Sequence, residues 1–565
     1  MTLPSAPLPT ADTPSANNEP IHQLSLSGGG FRAAFYHLGA LHALATQGRL
    51  RELKLLVTIS GGSIAAGFFL QEWLAVERKG PVSDHELAQG ALRAQQALFR
   101  KSRHNPRLRV MASLRALSSG LVRNEFGFSE AMARINKRWL RPLHKVTSTG
   151  VWPSALPGWR IACSDYAQGN RCVVVIGERG LPRKPDTSYL TMGDLPIARA
   201  IASSSAVPGV FEPIRCGQHH LGDGGVLDNH GLREFDPTLG HAACIDASAP
   251  VLPMRPVDGW ATPMRAMDLM MEQTRDDLLR ARNCSLISLR DPVVQPSGLD
   301  WWPHLRALRT DLDDFAATEA HLLFLAGYQS ATGRPDIPTG CPPEMTALWS
   351  AMSRAASPEL PANEAQQLGD ARDACMDDLE RGQHVLFAGM QKRSAASVMV
   401  SLGSLLMLTL TVVTLVVLVR LAWSIGTGHI PRSSRTLSTN ALLFLGWAGG
   451  AAWLWQFYAP RAGALFYNMR QWVGVLAGPV VLPALVAMSI ALRLKVVAFS
   501  NRDLTAWTRT ALLGYERRRK LAASQREALR AAQASAQAAA RQSSLQSIEP
   551  VIEPLTEQPK ESPTK

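Results

Sequence analysis

The chain has 565 residues, 46% of them hydrophobic and 19% charged, which excludes a disordered polymer and leaves room for a large core and more than one domain. Lys and Arg exceed Asp and Glu by 59 to 46, a formal net charge of +13, so an acidic partner surface is implied. No zinc spacing, RNA-binding signature or helix-turn-helix pattern supports nucleic acid, which leaves anionic lipid as the better reading, and seven scattered cysteines without a C-x-x-C spacing point to a reducing compartment.

Residues 1–20 are polar and proline-rich, lack the basic and apolar parts of a signal peptide, and are expected to be disordered. Two short runs then carry the chemistry. Ser27-Gly28-Gly29-Gly30-Phe31-Arg32 follows the strand-like Leu24-Ser25-Leu26, and Gly61-Gly62-Ser63-Ile64-Ala65 follows the strand-like Leu55-Leu56-Val57-Thr58-Ile59. Each closes an apolar stretch and opens a helical one, so both are expected at the carboxyl ends of neighbouring strands, where open α/β sheets bind ligands. A serine nucleophile needs a sharp, glycine-flanked turn and a base. Ser63, with Gly61 and Gly62 supplying the turn, fits that need. Consecutive glycines let backbone N–H groups approach a developing oxyanion, which makes Gly28, Gly29 and Gly30 the candidate donors.

The bland alternatives are a phosphate cradle for the glycine run and a helix N-cap for Ser63. The first lacks the G-K-[ST] of a P-loop. His37 and His42, on the helix after the glycine run, read as core or surface residues.

From Leu87 to Asn124 no acidic residue occurs, while Arg93, Arg100, Lys101, Arg103, Arg107, Arg109, Arg115 and Arg123 recur among apolar positions. This basic helical insertion, bounded at 84–147, either lies on an anionic surface or caps the core. Farther on, His219-His220-Leu221-Gly222-Asp223-Gly224-Gly225-Val226-Leu227-Asp228-Asn229 sets an aspartate between glycines. Asp223 is the candidate base; its plainer reading is a turn former. His219, His220 and His230 are rival bases, and Asp165 and Asp228 read as turn or capping groups.

With the stretch Ala198-Arg199-Ala200-Ile201-Ala202-Ser203-Ser204-Ser205-Ala206-Val207-Pro208-Gly209-Val210-Phe211, four blocks stand in order. In that order the chain resembles the patatin-like phospholipases, over about its first 330 residues. The resemblance implies a three-layer α/β/α domain with a mostly parallel central sheet over 21–332; the hydropathy beyond it leads to the expectation of an α-helical transmembrane region. It implies a Ser-Asp dyad of Ser63 and Asp223, an oxyanion loop of Gly28, Gly29 and Gly30, and Arg32 at the family's basic position beside it. Gly61, Gly62, Ala65, Gly224 and Gly225 are the remaining motif positions. Ala65 stands where the family usually has glycine, and Ser27 where an acidic residue is common.

A connector is expected over 333–393, with a helix from Asn363 onward. Three apolar stretches form the expected transmembrane region, at about 394–419, 441–459 and 472–492, and the first runs without a charge for long enough to cross a bilayer. The last carries Pro479 and Pro483, which would let it turn back. Basic residues before the first stretch and after the third put the amino-terminal domain in the cytoplasm, at the inner membrane. Residues 493–543 read as a basic helical segment and 544–565 as a disordered tail.

The function expected is a membrane-anchored, phospholipase A-like hydrolase of glycerophospholipids, with membrane phospholipid as substrate and anchoring surface. No cofactor or metal is called for, and a homo-oligomer is compatible with the pattern. The alternative is a catalytically silent lipid-binding or regulatory membrane protein on the same fold.

Overall fold

The structure, a computed structural model, describes residues 19–384 apart from 112–126, 149, 178–179, 181, 209–210, 252–261 and 354–361. β1 (Gln23–Leu26) turns into α1 (Gly30–Thr46), and β2 (Leu55–Thr58) into α2 (Gly61–Glu77). α3 (Asp84–Ser102), α4 (Pro106–Met111), α5 (Phe128–Trp139) and α6 (Arg141–Ser148) precede β3 (Gly158–Asp165), β4 (Asn170–Ile176) and β5 (Thr187–Thr191). Next come α7 (Ile197–Ser204), β6 (Ile214–Cys216), β7 (His219–Asp223), the short α8 (Gly225–Asp228) and β8 (Ala242–Asp246). α9 (Thr262–Ala281), β9 (Ser285–Ser288), α10 (Trp302–Ala307), α11 (Ala317–Thr332), α12 (Pro343–Ser353) and α13 (Ala362–His384) complete the described order.

The described strands form one sheet in the order β5-β4-β3-β2-β1-β8-β9, with β7 added to the end of β3 and β6 paired to β7. From β3 through β9 the neighbours are parallel. β1 and β2 are buried at every residue, as expected of strands covered on both faces. Leu26 is in register with Thr58 and with Ile245, so the turns after β1, β2 and β8 share one edge of the sheet.

One face of the sheet carries α1, α2, α3 and α11; on the other, Leu55, Val57, Ala242 and Cys244 pack with Leu232 and Phe235 against Leu278 and Leu279 of α9. α1 is buried from Gly30 through Ala45, the signature of a helix surrounded by protein. Its crossing with α11 depends on glycine. A Cβ on Gly39 would strike the Phe324 carbonyl, and one on Gly327 the carbonyl of Tyr36, so the two backbones meet where a side chain would stand.

Part of the basic insertion has its apolar side taken. Leu87, Ala91, Leu92 and Leu98 of α3 are buried where that helix packs on α1 and α2, and Arg93 Nε donates to Glu72 at 2.8 Å. Over α3 the segment is a cap on the core, with no apolar stripe left for lipid.

α13 covers the helix expected from Asn363 onward. Among the described residues no helix is long and apolar enough to cross a membrane. The stretches at 394–419, 441–459 and 472–492, the amino-terminal segment 1–18, the basic helix 493–543 and the tail 544–565 lie outside the described residues.

Candidate active site

Ile59 and Ser60 join β2 to α2. Ser60 has φ 48° and ψ −117°, and among the described residues only Asn105 shares a positive φ without being glycine. Such a backbone is disfavoured for a residue with a side chain, and it is the geometry of a nucleophile elbow when it falls on a sharp strand-to-helix turn. Gly61 and Gly62 make room for the turn. A Cβ on Gly61 would lie 2.8 Å from the Gly30 nitrogen and one on Gly62 2.8 Å from the Ser27 carbonyl, so α2 starts directly against the end of β1. The Ser60 N–H donates to Ser204 Oγ at 2.9 Å.

Asp223 ends β7, opposite Cys163 of β3. Its backbone N–H donates to the Ala206 carbonyl at 3.1 Å, and its Oδ1 accepts the Gly225 N–H at 2.8 Å. Burial pushes the carboxyl up to about 6, against the opposing pull of the Gly225 N–H and of the nearby Ser60 hydroxyl. A carboxylate poised near neutrality beside a serine hydroxyl is suited to take that hydroxyl's proton.

The loop from Ser27 to Phe31 is pinned at both ends. The Ser27 carbonyl accepts His37 Nε2–H at 2.9 Å, and Ser27 Oγ accepts the Ala247 N–H at 2.9 Å. Gly28 N–H donates to the Asn229 carbonyl at 3.0 Å, and Phe31 N–H to that of Asp311 at 3.0 Å. Between them Gly29 at φ 131° and Gly30 at φ 57° keep N–H groups with no hydrogen bond among the described residues, as does Gly61. A Cβ on Gly28 would lie 3.3 Å from Ser60 Cβ, which sets this loop against the elbow. Free amides beside a strained serine are what a tetrahedral oxyanion requires.

Residues 24–236 match the family described as patatin-like phospholipase, a span that begins at β1 and ends just beyond the Asp223 loop. Residues 24–236 form a patatin-like phospholipase domain. The chain thus carries a lipid acyl hydrolase. No curated protein matches it. Among solved structures it is similar to VipD from Legionella pneumophila, at 15% identity and a TM-score of 0.25 over 60% of this chain and 68% of that one. It is also similar to the type III effector protein ExoU, at 13% identity and a TM-score of 0.23 over 81% of each chain.

Within the patatin-like domain several residues stand elsewhere than their motif positions suggested. Ser63 lies in the first turn of α2, fully buried, with Oγ donating to Thr58 Oγ1 at 3.0 Å and 3.2 Å from Ser204 Oγ. Its hydroxyl belongs to the interior. Gly61 and Gly62 are the first residues of the helix rather than a turn leading to Ser63, and the turn itself is one step earlier. Centred on Ser60, the G-x-S-x-G pattern puts its second glycine at Gly62 and Thr58 at its first. Ala65 is therefore a buried helix residue and crowds no elbow. Gly28 spends its N–H on Asn229, so of the three candidate donors only Gly29 and Gly30 are open.

Arg32 Nη1 donates to the carbonyls of Arg306 at 2.8 Å and Leu308 at 3.0 Å. Burial lowers its guanidinium to about 10, with Asp246 opposing. It ties α1 to α10. Gly224 caps α8, where a Cβ would lie 2.9 Å from the Ala162 carbonyl carbon.

The side chains of His219, His230 and His37 are engaged elsewhere. His219 Nδ1 is 2.6 Å from Asp165 Oδ2, His230 Nε2 is 3.1 Å from Asp246 Oδ1, and buried His37, lowered to about 4 by burial, is bound to the Ser27 carbonyl. Asp165 accepts the N–H groups of Ala167, Gln168 and His220, and Asp228 those of His230, Gly231 and Arg233. Both are turn formers. Among the described residues no group of three or more His, Cys, Asp or Glu is arranged to hold a metal ion.

Ser60, Ser204 and Asn229 are the residues that reading the motifs passed over. A signal for Ser60 was present: it directly follows the apolar run 55–59, and an elbow serine belongs at the strand's end, not a turn into the helix.

Proposed function

We propose that the domain hydrolyses glycerophospholipid or related lipid esters through a dyad of Ser60 and Asp223, on a membrane to which the chain's own apolar segments anchor it. The observation that carries this reading is the strained backbone of Ser60, whose hydroxyl is close enough to the raised carboxyl of Asp223 to pull against that rise.

In the reaction, Ser60 Oγ attacks the ester carbonyl carbon as its proton passes to the Asp223 carboxylate. The carbonyl oxygen becomes an oxyanion that accepts hydrogen bonds from the N–H groups of Gly29, Gly30 and Gly61. Collapse breaks the ester C–O bond, and Asp223 returns the proton to the departing alcohol. Water then attacks the acyl-serine, giving its proton to Asp223, and the fatty acid leaves as Ser60 Oγ regains a proton.

Three apolar stretches and the basic residues flanking them support anchoring with the catalytic domain on the cytoplasmic face. The test is labelling of the full chain in detergent-free membranes with a serine-reactive fluorophosphonate. Wild type and Ser63→Ala are expected to label and Ser60→Ala not. Labelling of Ser60→Ala with loss in Ser63→Ala would return the nucleophile to position 63.

A further inference from the structure

Resting on the reading of Ser60 and Asp223 as the dyad, we infer that the turn ending α7 is a two-point clamp that sets their spacing, and that Ser204 is its positioning residue. Ser204 Oγ accepts the Ser60 N–H at 2.9 Å, and two residues on the Ala206 carbonyl accepts the Asp223 N–H at 3.1 Å. One turn of chain therefore holds the backbone of both partners.

The clamp is itself fixed to the sheet. The Ser204 hydroxyl donates to the Ala162 carbonyl of β3 at 2.7 Å, next to Cys163, which pairs with Asp223. Ser63 Oγ lies 3.2 Å from Ser204 Oγ and donates to Thr58 Oγ1, which also accepts Trp159 Nε1–H at 2.8 Å. These hydroxyls are all buried. Ser60 occupies a backbone region that persists only when surrounding contacts over-determine it, and its N–H bond to Ser204 is such a contact.

Three consecutive serines offer a control within one turn. Ser203, Ser204 and Ser205 are all buried, but the hydroxyls of Ser203 and Ser205 have no hydrogen-bond partner among the described residues. A requirement for polarity at this turn would treat the three alike; a clamp singles out Ser204.

The experiment compares full-length Ser204→Ala, Ser203→Ala and Ser60→Ala, with rates of p-nitrophenyl butyrate hydrolysis normalised to the folded fraction. For Ser204→Ala, kcat is expected to fall at least about tenfold with KM within about twofold, because a small displacement of a reacting group costs rate rather than binding. Fluorophosphonate labelling should slow in parallel, and Ser203→Ala should stay within about twofold of wild type. Equal effects of Ser203→Ala and Ser204→Ala, or a loss confined to KM, would overturn the clamp. If Ser204→Ala does not unfold cooperatively, Ser204→Cys, which fills the site but accepts hydrogen bonds weakly, should show the same fall in kcat. Normal labelling of Ser60→Ala would defeat the dyad itself, whereas abolished labelling of Ser60→Ala beside a wild-type rate for Ser204→Ala would defeat the clamp alone.

Discussion

The turns that lead into α1 and α2 hang from adjacent parallel strands, yet they use the left-handed backbone for opposite ends. Ahead of α1 the positive φ falls on Gly29 and Gly30, and the bare main chain leaves N–H groups with no hydrogen bond among the described residues. Ahead of α2 it falls on Ser60, and the glycines come afterwards, where they admit the backbone of Gly30 and the carbonyls of β1. Glycine enters this region without steric cost, whereas a serine there stores roughly 1–3 kcal/mol. On this edge, a strained side chain marks where an atom is presented and a relaxed glycine marks where the main chain is approached.

That division breaks hardest at Ser60. Ser60→Ala is expected to lower hydrolysis of mixed phosphatidylglycerol and phosphatidylcholine vesicles on the order of 10³-fold or more, measured as fatty acid released. Near-normal release would remove the elbow from the chemistry. Asp223→Asn comes next, with a loss on the order of 10²–10⁴-fold in kcat. The sign of the pH dependence follows from the raised carboxyl: the base is the ionised form, so wild-type kcat rises with pH through a midpoint of about 6 and is level above it. A profile flat from pH 5 to 8, in the sense of about a threefold spread or less, would assign the proton to another group.

The first turn is tested by Gly30→Ala. A Cβ there would sit 2.8 Å from the Asp311 carbonyl oxygen on a backbone at φ 57°, so the loop must shift and an oxyanion donor with it. The expected loss is on the order of 10²-fold in kcat. An unchanged kcat would show that the oxyanion is held elsewhere. The smallest effect belongs to Ser63→Ala, which removes a buried hydroxyl but no reacting atom. Its kcat should stay within about threefold, while stability falls by about 1 kcal/mol, read as a lower midpoint in thermal unfolding.

Much of the domain is legible along the chain, because its parallel strands are apolar runs closed by glycine turns and too short for a helix to close its own hydrogen bonds. Leu24–Leu26 and Leu55–Thr58 fall inside β1 and β2 for that reason. The basic insertion was ambiguous for an equally physical reason: periodicity shows that α3 has an apolar face but not what covers it, and α1 and α2 do. The reading of Ser63 as nucleophile set the elbow three residues too far along: Ser60 and Ser63 flank the same two glycines, and only the position directly after the apolar run 55–59 favours Ser60.

The order of residues by itself determined an α/β domain with glycine-lined turns at one sheet edge and an aspartate in a glycine turn farther along, because local propensity and hydrophobic pattern act over a few residues. Tertiary structure alone decided which hydroxyl meets Asp223, that Gly28 yields its N–H to Asn229, and that Ser204 and Ala206 hold the two partners from one helix end. Each of those depends on segments far apart in the chain reaching hydrogen-bond distance, and only packing of the helices on the sheet sets that distance.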